Sequence, residues 1–66
     1  MILPPQAEME TLIQLTALGN MWGVSERARA LVASDEKYRS FALRIQELAA
    51  AFKESELLDW LGGQTM

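Results

Sequence analysis

The run Leu18-Gly19-Asn20-Met21-Trp22-Gly23-Val24 sets a helix stop directly before a helix start. Gly suits the left-handed position just past a helix end. Asn is among the best N-caps, because its side-chain oxygen accepts from one of the next helix's orphan N–H groups. Only Gly19 and Asn20 separate two apolar-periodic segments, so the chain folds back on itself as a helical hairpin. With 66 residues there is room for one domain, near the lower limit of what folds without staples. Half of the residues are hydrophobic, and little of that apolar surface can be spared from the core.

Composition removes several chemistries. The chain has no cysteine, which rules out disulfides, thiolate metal sites and a nucleophilic thiol. It has no histidine, which rules out a histidine phosphotransfer site, a His-assisted triad and an imidazole-bound zinc. No cofactor is expected. No apolar run approaches the roughly 20 residues that span a bilayer, and the N-terminus lacks the pattern of a signal peptide. The chain therefore reads as soluble and cytoplasmic, with no membrane insertion. Its net charge of −3 works against attraction to phosphate backbones, so no nucleic-acid partner is expected. All six basic residues lie between Glu26 and Lys53 together with four acids, while Glu8, Glu10, Glu54, Glu56 and Asp59 leave both ends acidic. Acidic ends flanking a mildly basic middle suit a packed bundle.

Periodicity and punctuation predict an all-α fold, a small antiparallel bundle of three helices plus a short fourth. A linker over 1–5 precedes helix one, at about 5–18, where Pro5 suits a first turn and Glu8 and Glu10 meet the positive end of the helix dipole. Its Met9, Leu12, Ile13 and Leu15 form one stripe, with Thr16 on the same face. Helix two, at about 21–33, gathers Met21, Val24, Ala28, Leu31 and Val32, and Gly23 inside it is expected to admit helix one closely. Ser34 or Asp35 caps helix three, at about 36–52. There Tyr38, Phe41, Ala42, Ile45, Leu48, Ala49 and Phe52 share a stripe expected to be the spine of the core. The last segment, at about 54–61, carries Leu57, Leu58, Trp60 and Leu61 and is either a short helix or a kinked continuation of helix three. Gly62-Gly63 then reads as a stop, leaving 62–66 as a tail.

No catalytic constellation emerges. The pairs Glu8/Glu10 and Glu54/Glu56 are two residues apart and diverge on a helix, so they read as solvated surface. Ser25, Ser34, Ser40 and Ser55 lack an imidazole to activate them and read as caps or surface. Gly19 and Gly23 have G-x-x-x-G spacing, but Asn20 breaks the helix between them. The informative outliers are apolar. Trp22 falls on the outer side of helix two near Glu26 and Arg29, Leu43 falls among Glu36, Arg39 and Glu47, and Trp60 borders the core stripe of the last segment. Trp22, Leu43 and Trp60 are the candidate partner-binding residues, since aromatic anchors are enriched among binding hot spots. The bland alternative is that Trp22 folds back over the junction and Trp60 closes the core.

Ile2-Leu3-Pro4-Pro5, Glu8, Leu12 to Leu15, Leu18-Gly19-Asn20-Met21, Ser34-Asp35 through Tyr38 and Phe41, Ile45, Leu48-Ala49 and Phe52 together resemble a known segment. It is the small helical domain that follows the receiver domain in some bacterial hybrid sensor histidine kinases. In that family the first junction usually reads Gly-Asp, and Asn20 preserves the capping role. The resemblance implies that Met1 to Pro5 is the exit from an upstream receiver and that the chain is a terminal domain of a longer protein. It also implies a role in two-component signalling and phosphorelay, as a noncatalytic regulatory module. The partners it implies are a receiver or kinase domain of the same or a cognate protein, or a second copy in a homodimer. Two other readings stay open: a structural terminal cap without a partner, and a standalone small helical regulator.

Overall fold

A computed structural model of the chain describes residues 2–64. Among these residues it contains four α-helices, α1 (Gln6–Ala17), α2 (Met21–Ser34), α3 (Arg39–Ala50) and α4 (Glu54–Gln64), with a 3-10 turn over Glu36–Tyr38 and no strand. The all-α class follows. Met1 of the expected linker and Thr65 and Met66 of the expected tail lie outside the described residues.

The first junction takes two backbone turns in succession. Leu18 caps α1, Gly19 follows with φ +77°, and its N–H donates to Thr16 O at 3.0 Å while that of Asn20 donates to Leu15 O at 3.0 Å. This bond pair is a Schellman motif, which satisfies two of the carbonyls orphaned at the helix end. Asn20 also starts α2, its Oδ1 accepting from Gly23 N–H at 2.9 Å. The closest neighbours of Gly23 belong to this cap and not to helix one: a Cβ there would lie 2.6 Å from Asn20 Nδ2.

The second junction is capped by Asp35, whose carboxylate accepts from Lys37 N–H at 3.1 Å. Helix three therefore opens as the 3-10 turn and becomes α-helical at Arg39. It ends at Ala50, and the expected continuation through Phe52 is not formed. Phe52 takes φ +56°; its N–H donates to Ala49 O at 3.0 Å and that of Lys53 to Leu48 O at 3.0 Å. The Schellman pattern of the first junction is thus repeated with Phe in the glycine position. The turn swings Phe52 out of the core stripe to 77% exposure. The physical reason lies in α4. Redirecting the chain buries Leu57 and Leu61 completely, worth roughly 1.5–3 kcal/mol each, against a left-handed cost of about 1–2 kcal/mol.

The core is one cluster to which every helix contributes. Met9 and Leu12 come from α1, Met21, Val24, Ala28 and Leu31 from α2, Phe41, Ala42, Ile45, Leu48 and Ala49 from α3, and Leu57 and Leu61 from α4. Thr16 is its buried polar member, and the hydroxyl donates to Leu12 O at 2.8 Å. The most extensive helix pairing is α2 on α3, while α4 packs on both α1 and α3. At 11 residues, α4 is a full member of the bundle beside α1 and α3, each of 12. It runs through the expected stop, and neither Gly62 nor Gly63 takes a positive φ. Upstream, Pro4 of the expected linker is buried.

Candidate protein-contact surface

The helices place the three candidate contact residues in different settings. Trp22 sits in the first turn of α2, two residues after the Asn20 cap, and is 74% exposed. The cap holds that turn in helical geometry, with the indole projecting from it. On the same outer side, Arg29 and Glu26 form an ion pair along α2. Leu43, in the second turn of α3, is 52% exposed, beside the Arg39–Glu36 and Arg44–Glu47 pairs. Trp60 on α4 is half-buried, its ring 5.5 Å from that of Phe41 at an interplanar angle of 32°. That tilted contact commits one face of Trp60 to the core edge.

Besides Trp22, the junctions that precede α2 and α4 carry exposed apolar residues. A Cβ built on Gly19 would lie 3.2 Å from Glu54 Oε2, so the α1–α2 and α3–α4 junctions share one end of the bundle. Leu18 directly precedes Gly19 and is 80% exposed, and Phe52 lies two residues before Glu54. Leu43 is seven residues before the Ala50 end of α3, about 10 Å back along the helix. Sequence reasoning missed Leu18 and Phe52 for different reasons. Leu18 was absorbed into the end of a helix, and Phe52 matched the apolar period of α3. The signal for Phe52 was the polar run Lys53-Glu54-Ser55-Glu56, which interrupts that period directly after it.

Electrostatics divide the surface by sign. Every basic side chain is ion-paired: Arg27 with Glu8, Arg29 with Glu26, Lys37 with Asp35, Arg39 with Glu36, Arg44 with Glu47 and Lys53 with Glu56. Glu10, Glu54 and Asp59 have no ion-pair partner among the described residues. The Glu8–Arg27 pair is bidentate and joins α1 to α2. It holds the Arg27 guanidinium above its ordinary pKa, first through the side-chain hydrogen bond and then through charge attraction, with desolvation opposing.

Among the described residues no cluster of side chains suited to a metal ion occurs, and no helix is long and apolar enough to cross a membrane. Comparison with protein-family models, curated proteins and solved structures returns no match to this chain.

Proposed function

We propose that this chain is a noncatalytic protein-interaction module of a two-component signalling protein. It docks on a receiver or kinase domain, or on its own copy, and so adjusts phosphotransfer. The observation that carries the reading is Trp22, a large aromatic side chain held in solvent at a capped helix start. In a chain this small an indole left largely out of the core contributes little to hydrophobic stability, and aromatic anchors are enriched among binding hot spots. The signalling context comes from the resemblance of residues 2–52 to the helical segment that follows a receiver domain.

The test is to titrate the isotope-labelled chain with receiver and kinase domains of hybrid histidine kinases, following NMR shifts and autophosphorylation. The expected result is a shift of the Trp22 indole signal, a changed phosphorylation rate, and loss of both in Trp22→Ala. No shift, no self-association by sedimentation and no rate change would sink the reading.

A further inference from the structure

We infer that the junction end of the bundle, carrying Leu18, Trp22 and Phe52, docks a short amphipathic segment of a partner protein that sets Lys or Arg beside its apolar anchors. This rests on the interaction-module reading and specifies its surface and the chemistry of its partner.

Phe52 is the first support. It occupies a left-handed position, with φ +56°, that disfavours a bulky residue, and its ring is 77% exposed. Gly19 performs the same turn in the first junction without a side chain. Neither backbone conformation nor burial gives an aromatic side chain a folding role at this position. Backbone outliers of this kind concentrate at functional sites.

The size of the patch is the second support. Leu18, Trp22 and Phe52 are 80%, 74% and 77% exposed. Carried on junctions that share one end of the bundle, they present between them on the order of 450 Å² of mostly apolar surface. A permanent homodimer buries about 1,000 Å² or more per subunit. A short segment fits the smaller area.

Charge decides between the occupants. Lys53 at this end is engaged by Glu56 at 3.8 Å, while Glu54, against Gly19, has no ion-pair partner among the described residues. A second copy would bring the same carboxylate toward its own image across a two-fold axis. A segment with a cation beside its apolar anchors meets Glu54 with the opposite sign.

Random peptides displayed on phage, selected against the full chain, test the inference. Enriched peptides are expected to be amphipathic and net positive, and to shift the NMR signals of Leu18, Trp22 and Phe52. Trp22→Ala and Phe52→Gly should each weaken binding by about tenfold or more, as hot-spot truncations do. Glu54→Lys should weaken it as well. Because Phe52→Gly relieves the left-handed strain, its melting temperature should not fall, which separates lost binding from lost folding. Failure to enrich any sequence, or enrichment of acidic ones, overturns the inference. So does a shift of Trp22 by phosphatidylcholine vesicles, which would identify a lipid surface, or by the chain's own concentration, which would identify a second copy. Peptides that bind around Leu43 overturn it while leaving the interaction-module reading standing.

Discussion

Gly19 and Phe52 perform the same backbone task with opposite side chains, and substitutions at the two should move stability in opposite directions. Gly19→Ala forces a Cβ into a left-handed residue and sets it 3.2 Å from Glu54 Oε2. A loss of about 1–2 kcal/mol in urea unfolding is expected. Phe52→Gly removes the strain and uncovers little buried surface, so it should be neutral or stabilise by up to about 1 kcal/mol. A clear destabilisation would show that the Phe52 ring covers part of the core. At Asn20 one residue serves both helices, its N–H closing the end of α1 and its side chain opening α2. Asn20→Ala retains the first bond and loses the second, and should cost about 1 kcal/mol by the same measurement.

Among the elements, α4 has the largest effect on the architecture. Leu57 and Leu61 are completely buried, and α4 lies against α1 and α3. Leu57→Ala should therefore destabilise by roughly 2–5 kcal/mol, within the range for truncating a buried leucine. A near-neutral result would mean that α4 detaches in solution. The Glu8–Arg27 bridge ties α1 to α2 at the surface, so its effect should be small and should weaken with added salt. Its pH dependence has a definite sign. Because the folded-state pKa of Arg27 is raised, its contribution is fully present below the unfolded value and is lost only as pH climbs through the folded one. Urea curves should show no loss from the guanidinium between neutrality and about pH 10.

Across the molecule the core is continuous, with Phe41 fully buried and touching Trp60 at its edge. Phe41→Ala should cost on the order of 3–5 kcal/mol, comparable with the whole stability of a domain this small. Circular dichroism should then show loss of the entire helical signal. Trp22→Ala and Leu43→Ala, both at exposed positions, should leave the melting temperature nearly unchanged. The three outlying apolar side chains have different settings. Trp22 and Leu43 stand in solvent, whereas Trp60 is shared between solvent and Phe41.

Local chemistry was enough to read the four helical segments, the Gly19-Asn20 stop and start, the Asp35 cap and nearly all of the core stripe. Each depends on contacts within a few residues: a side chain reaching its own backbone, or apolar groups repeating on one face. What local chemistry could not reveal was set by contacts across the chain. Phe52 fits the apolar period of α3, and its expulsion follows from the burial of Leu57 and Leu61 against helices far away in sequence. Gly62 and Gly63 look like a stop, yet α4 runs through them. The candidate surface has the same origin. Leu18, Trp22 and Phe52 are spread over 35 residues, and the packing of α4 against α1 brings their junctions to one end of the bundle. Periodicity records which face of a helix is apolar; only packing decides where that face ends and which exposed groups become neighbours.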